Sequence, residues 1–130
     1  MRLLATVALG GALGSGARWL LTGWVQRRAS GASGPLALFP AGTLAVNLLG
    51  CFAVGLLATL FQERLAASAE LRTFVLVGVL GGFTTFSAFG FETFALARAG
   101  NLALAAVNAL GSVALGLAGV WLGVALARVL

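Results

Sequence analysis

The stretch GGFTTFSAFGFET, residues 81–93, is the most informative part of this 130-residue chain. It lies inside an apolar run, residues 71–97, that is long enough to cross a membrane as a single helix. Two adjacent glycines, which are poor helix formers, open the stretch, and the hydroxyls of Thr84, Thr85 and Ser87 offer the backbone competing hydrogen bonds. We therefore expect this helix to be broken near its middle.

A helix break inside a membrane is tolerated only where protein or a water-filled cavity surrounds it, because the freed N–H and C=O groups need partners. Broken membrane helices therefore tend to form ion or substrate sites. We place the break at residues 81–85, which makes this short segment the candidate functional site.

The composition is that of an integral membrane protein, since 61% of the residues are hydrophobic and only 8% are charged. The chain contains no His, Lys, Asp or Tyr, which excludes metal clusters and Ser-His-Asp chemistry, so we predict that it is not an enzyme. The net charge of +5 comes from scattered arginines rather than from a basic patch, so we expect no nucleic-acid partner.

Four apolar segments are each long enough to span a membrane, which predicts an all-α membrane protein with one domain, residues 1–130. We place the four transmembrane helices at about residues 3–25, 40–61, 71–97 and 101–127. The first helix contains a small-xxx-small glycine spacing, which allows another helix to approach closely. We expect a multi-pass protein of the cell membrane, surrounded by lipid.

The arginines near the two membrane surfaces are almost balanced in number. With four crossings, the end that carries the chain termini has Arg2, Arg64, Arg72 and Arg128, and the other end has Arg27, Arg28 and Arg98. The positive-inside rule then gives little preference for either orientation. A chain that inserts both ways can form an antiparallel, dual-topology homodimer, and a single four-helix unit is too thin to enclose a pathway comfortably.

The residues at the break suggest two kinds of ion contact. In a two-fold dimer, the carbonyls of Gly81 and Thr84 would supply four oxygen ligands, which suits Na⁺. The alternative is that these carbonyls bond to side chains or water. Phe86 and Phe89 share a helical face, which usually means core packing, but their electropositive ring edges could also hold a small anion.

Polar residues on the other helices leave two interpretations open at each position. Asn47 is either a hydrogen-bonding link between helices or an N–H donor to an ion. Asn108 and Ser112 lie on the small, polar face of the fourth helix, which is either a packing seam or a track beside a pore. Arg18 is either an interfacial anchor or an interior guanidinium that fixes a polar network or attracts anions.

These motifs resemble the Fluc/CrcB family of fluoride channels. The match rests on GGFTTFSAFGFET in the third helix, NLLG at residues 47–50 in the second and GGALGSGAR at residues 10–18 in the first. It covers essentially the whole chain in order, spacing and helix count. The resemblance implies a dual-topology homodimer in the bacterial inner membrane, with two fluoride pathways and a central Na⁺ that is not transported.

The resemblance also implies roles for individual residues. Gly81 and Thr84 would bind Na⁺ through their backbone carbonyls, Phe86 and Phe89 would face fluoride, and Asn47 would line the pore. Further positions that match the family are the polar-track residues Asn108 and Ser112 and the supporting residues Arg18, Thr85, Ser87 and Glu92. The family often has Tyr at the first polar-track position, which is Asn in this chain. Glu92 could serve the ion path or be a carboxylate paired with an arginine.

The implied function is passive export of fluoride that entered the cell as HF, which lowers fluoride toxicity. The main alternative is a small proton-coupled multidrug exporter with four helices. Such exporters need a carboxylate, typically in the first helix, and this chain has none there, which leaves Glu92 as the only candidate. A third class, a non-transporting membrane scaffold, requires that the Asn, Thr and Phe positions all serve packing.

Overall fold

The computed structural model describes residues 1–31 and 37–130, and these residues form helices joined by short connections. Residues 32–36, in the predicted connection between the first two helices, lie outside the described residues. In chain order the elements are α1 (Arg2–Ala29), α2 (Ala41–Glu63), α3 (Ala69–Arg72), a π-helical segment (Thr73–Val79), α4 (Leu80–Phe83), α5 (Phe86–Arg98) and α6 (Leu102–Val129).

Four stretches of the described chain are long and apolar enough to cross a membrane. They are Arg2–Ala29, Ala41–Glu63, Ala69–Arg98 and Leu102–Val129. The third stretch contains four of the elements above, from α3 to α5. The chain is therefore an all-helical, multi-pass membrane protein.

The backbone inside the third stretch leaves helical geometry at two residues. Thr84 has φ −84° and ψ 158°, and Thr85 has φ −151° and ψ 115°, so both are extended between α4 and α5. Before α4, the N–H of Leu80 bonds to the carbonyl of Val75, a five-residue step that is typical of a π-helix.

Glycines hold α1 close to the third stretch. A Cβ on Gly10 would lie 2.9 Å from the Cα of Gly78, and a Cβ on Gly14 would overlap the carbonyl oxygen of Val79. Only glycine at these positions allows the two backbones to approach this closely. The predicted close approach of a second helix to α1 is therefore observed, and its partners are the π-helical segment and α4.

Replacing Gly14 with Ala should destabilise the protein by about 1–3 kcal/mol, because the added methyl group meets backbone atoms rather than a movable side chain. Gly16→Ala is the matched control, since a Cβ there meets nothing within 4 Å and alanine favours a helix. Thermal unfolding of both purified variants in detergent micelles measures the difference. Equal unfolding temperatures would contradict the close packing of α1.

A second glycine seam joins α2 to α6. A Cβ on Gly123 would overlap the carbonyl oxygen of Phe52, and a Cβ on Gly55 would overlap the carbonyl oxygen of Val120. The small face of α6 therefore serves as a packing seam over this half of the helix. Helix α2 contacts both α1 and α6 and therefore lies between them within the single chain.

Three arginines at the end of the protein with the chain termini are bound to other protein groups. Arg64 Nη2 donates to the carbonyl of Arg128 at 2.8 Å, and Arg72 Nη2 donates to the carbonyl of Phe61. Arg128 Nε lies 3.9 Å from Glu63 Oε1. Because helix carbonyls near a C-terminus attract cations, these contacts stabilise the ends of α2 and α6.

Candidate functional site

A cavity of about 370 Å³ lies where α2, α4, α5 and α6 meet. It brings together seven residues that the sequence predicts as site residues, namely Asn47, Gly81, Thr84, Thr85, Phe86, Phe89 and Ser112. These residues come from three separate helical stretches, and the fold brings them together in the wall of one cavity. The apolar remainder of the lining includes Val54, Leu76, Leu80 and Val113.

Asn47 is bonded to the extended backbone through both ends of its side-chain amide. Its Nδ2 donates to the carbonyl of Thr85 at 3.1 Å, and the N–H of Thr85 donates to Asn47 Oδ1 at 2.9 Å. These two bonds replace helical bonds that Thr85 cannot make in its extended conformation. One N–H of the amide remains after these bonds, and the residue lines the cavity.

Two carbonyl groups at the break lose the donors that a continuous helix would supply. The N–H of Thr85, the expected partner of the Gly81 carbonyl, donates to Asn47 instead. The N–H of Ala88, the expected partner of the Thr84 carbonyl, donates to Thr85 Oγ1 at 3.2 Å. Carbonyl oxygens freed in this way are suitable ligands for a hard cation.

The hydroxyl of Thr84, the residue after α4, points back toward that helix. Both the N–H and Oγ1 of Thr84 donate to the carbonyl of Leu80, each at 3.0 Å. Gly50 of α2 lies directly against this side chain, because a Cβ there would overlap Thr84 Cγ2. The side chain of Thr84 is thus held in place, which leaves its carbonyl as the group available to an ion.

Phe86 and Phe89 form an aromatic pair at the start of α5. Their ring centroids are 5.5 Å apart, and the ring planes are tilted by 39°. Phe86 is 83% exposed in the single chain, whereas Phe89 is half-buried. The ring of Phe86 therefore does not belong to the core of one chain, which is where the simplest interpretation of the stripe placed it.

Ser112, Asn108 and Thr93 form a hydrogen-bonded chain that ends at the Phe89 backbone. Ser112 Oγ donates to Asn108 Oδ1 at 3.5 Å, Asn108 Nδ2 donates to Thr93 Oγ1 at 2.8 Å, and Thr93 Oγ1 donates to the carbonyl of Phe89 at 2.7 Å. Ser112 lines the cavity, but Asn108 is only 2% exposed and is not part of the lining.

Thr93 belongs to this row of hydrogen bonds but is not among the site residues predicted from the sequence. Its position four residues after Phe89 was the available signal, since a helical Thr often bonds to the carbonyl four residues before it.

Comparison with known proteins identifies the family. A family model described as CrcB-like protein, Camphor Resistance (CrcB), matches residues 5–124 of the chain. The chain belongs to the CrcB family.

Several relatives of this CrcB-family chain carry the name Fluoride-specific ion channel FluC. The one from Solibacter usitatus is 48% identical over 122 residues, which cover 94% of this chain and 95% of the relative. The one from Agrobacterium fabrum is 48% identical over 125 residues, covering 96% and 95%. The one from Roseiflexus sp. is 44% identical over 130 residues, covering 100% and 99%.

Glu92 of this CrcB-family chain lies apart from the cavity described above. Its Oε1 accepts a hydrogen bond from Thr43 Oγ1 at 2.7 Å, and it lines a second, smaller cavity of about 210 Å³ with mostly apolar walls. Its Oε2 is buried and has no hydrogen-bond partner among the described residues. The described part of the chain contains no ion pair between Glu92 and an arginine.

Two other predicted supporting residues take different positions. Arg18 is half-buried on α1, outside both cavities, and its Nε is buried without a partner in the part of the chain that the structure describes. Ser87 is exposed, and its Oγ lies 3.2 Å from Thr85 Oγ1. Ser87 is therefore attached to the break through Thr85 rather than placed in the cavity wall.

Proposed function

We propose that this chain is a fluoride-selective channel that exports fluoride passively across the bacterial cell membrane. The observation that carries the proposal is the cavity in which Asn47, Phe86, Phe89 and Ser112 meet beside the extended backbone. Relatives that match nearly the whole chain at 44–48% identity are named fluoride-specific ion channels. The activity is transport and involves no covalent step.

The groups in the cavity suit a small, strongly hydrated anion. The free N–H of Asn47 replaces part of the water shell by a hydrogen bond, and the Ser112 hydroxyl adds a second donor when it turns away from Asn108 Oδ1, to which its hydrogen bond is long at 3.5 Å. The ring edges of Phe86 and Phe89 add a weak positive potential without the tight binding of a full charge, so that the anion can leave again. The net charge of +5 raises the local anion concentration.

We further propose that two copies pair in antiparallel orientation and that each copy covers the break of the other. The extended residues Thr84 and Thr85 and the exposed Gly81 lie in the middle of a membrane-spanning stretch. Lipid cannot satisfy backbone groups at that depth, so protein or water must surround them. The nearly equal numbers of arginines at the two ends support insertion in both orientations.

A structural Na⁺ fits the freed carbonyls at the centre of such a dimer. The residues that would hold it are Gly81 and Thr84, whose carbonyls have lost their helical donors. Two carbonyls from each copy give four oxygen ligands, which is the donor type that a hard monovalent cation prefers. The bound cation supplies positive charge that offsets the carbonyl dipoles, and this lowers the cost of a break in the membrane.

Fluoride efflux from proteoliposomes tests the proposed function. Purified protein is reconstituted into vesicles loaded with fluoride or chloride, and external halide is measured with ion-selective electrodes while the proton gradient is collapsed. We expect rapid fluoride efflux and no chloride efflux above that of empty vesicles. Proton movement that requires a cationic drug would instead favour the multidrug exporter, and no flux of any of these ions would favour the scaffold.

A further inference from the structure

The arginines at the two ends of the protein have different surroundings. Arg64, Arg72 and Arg128, at the end with the chain termini, are bound to carbonyls or to Glu63, as described above. At the other end, the described contacts of Arg28 and Arg98 are with aromatic faces. Arg28 Cζ lies 4.5 Å from the ring centroid of Trp24, and Arg98 Cζ lies 5.9 Å from that of Phe94.

Two arginines, Arg27 and Arg28, turn back along the last turns of α1. Arg28 extends back one turn over Trp24, and Arg27 Nη1 lies 3.2 Å from the point where a Cβ on Gly23 would be. Both arginines are therefore turned toward the same level of the helix, at residues 23–24. Both are exposed, and Trp24 is 50% exposed. We call Trp24, Arg27 and Arg28 the α1 basic end.

Among the residues that the structure describes, no carboxylate forms an ion pair with the α1 basic end. The chain has three acidic residues. Glu63 and Glu70 lie at the opposite end, and Glu92 accepts a hydrogen bond from Thr43. A guanidinium stacked on a ring uses its face, so its N–H edges stay free to bind an oxyanion in a bidentate way.

Helix α1 is long enough for the α1 basic end to reach the depth of the lipid headgroups. Helix α1 has 28 residues and is about 42 Å long at 1.5 Å per residue, whereas the hydrocarbon core of a bilayer is about 30 Å thick. The last turn of α1 therefore extends beyond the hydrocarbon. An exposed Trp followed by two Arg is the order expected where a helix leaves the acyl chains and enters the headgroup layer.

We propose that the α1 basic end binds the phosphate of an anionic phospholipid. Two guanidinium groups that form no ion pair with any described residue match a headgroup with net negative charge, whereas a zwitterionic headgroup brings its own cation to the site. The indole of Trp24 packs beside the glycerol and upper acyl region of the same lipid. This interaction is independent of fluoride transport and would hold in a single copy of the chain.

Fluorescence quenching of Trp24 by brominated lipids tests the proposal. The full chain with Trp19→Phe and Trp121→Phe, in which Trp24 is the remaining Trp, is placed in vesicles with brominated phosphatidylglycerol or brominated phosphatidylcholine at the same mole fraction. We expect the anionic lipid to be preferred by at least about fivefold, the enrichment due to one surface arginine. Equal quenching by the two lipids would overturn the proposal. All arginines are kept in this first experiment.

Charge-matched variants then separate a local site from a general charge effect. Arg27→Gln with Arg28→Gln should bring the preference close to one. Arg2→Gln with Arg128→Gln removes the same charge at the other end and should leave the preference unchanged. A preference that survives the first pair, or falls equally with the second, would contradict the α1 basic end as the lipid site. Channel activity plays no part in this readout.

Discussion

Replacing Asn47 with Asp is expected to reduce fluoride efflux by at least about a hundredfold. A carboxylate about 4 Å from a passing anion costs on the order of 4 kcal/mol at an effective dielectric constant of 20. The change also removes the amide donor to the Thr85 carbonyl, where Asn47 Nδ2 now lies at 3.1 Å. Electrode-based efflux from proteoliposomes gives the rate, and flux like that of the parent chain would refute a pore role for Asn47.

Two further variants separate the charge effect from the loss of the link to the break. Asn47→Ala leaves the N–H and C=O of Thr85 without their partner and should destabilise the fold by about 1–3 kcal/mol. Asn101→Asp introduces the same carboxylate just before α6, away from the cavity, and should leave efflux unchanged. If Asn47→Ala reduces flux as strongly as Asn47→Asp, repulsion by the added carboxylate is not the cause of the loss.

Replacing Phe86 with Ile should lower fluoride efflux by up to about tenfold while the protein keeps its fold. A favourable ring-edge interaction is worth about 0.5–1.5 kcal/mol, and about 1.4 kcal/mol corresponds to tenfold in rate. Because Phe86 is 83% exposed in the single chain, its ring contributes little to the packing of that chain. Efflux rate and thermal unfolding temperature are measured on the same preparation.

Phe91→Ile is the matched control for the ring. Phe91 is on the same helix and is 73% exposed, but it does not line the cavity. Its replacement removes a similar apolar surface and should leave the efflux rate within about twofold of the parent, as for a change outside the conducting path. Similar losses of flux in the two variants, or equal losses of flux and stability in Phe86→Ile, would show that the rings of Phe86 and Phe89 serve packing and not conduction.

Much of the architecture followed from local features of the sequence. Four long apolar segments predicted four membrane-capable helices, because the bilayer sets a minimum length that few soluble helices reach with so few charges. The glycine spacing in α1 predicted a close helix contact, since only the absence of Cβ atoms allows it. Neither inference required knowledge of which helix packs against which.

Features that depend on distant contacts were not predictable. The conformation of Thr85 depends on Asn47, 38 residues earlier, which satisfies both of its backbone groups. The π-helical segment TFVLVGV contains one glycine, Gly78, which by itself does not predict a π-helix, and the segment packs against glycines of α1. Asn101 is the residue before α6, but its side chain makes no capping bond.

The sequence predicted most of the polar and aromatic residues that line the candidate site, but not the hydrogen bonds that connect them. Residues whose type is unusual for a membrane helix, such as Asn47 and Ser112, stand out from the sequence and line the cavity. Asn108 is equally unusual but is buried one turn away, where it bonds to Thr93. Whether such a residue lines the cavity or lies buried behind its wall depends on the rotation of the helix about its axis. Residue type alone does not determine that rotation.

The reversal potential of currents through planar bilayers, with different fluoride concentrations on the two sides and chloride added to one side, tests whether the cavity beside the break is a fluoride pathway. If the cavity beside the break conducts fluoride selectively, the current reverses at a potential set by fluoride alone, and exchanging chloride for a larger anion does not change it. A reversal potential that follows the chloride concentration, or currents no larger than those of a protein-free bilayer, would show that the cavity is not a fluoride-selective pathway.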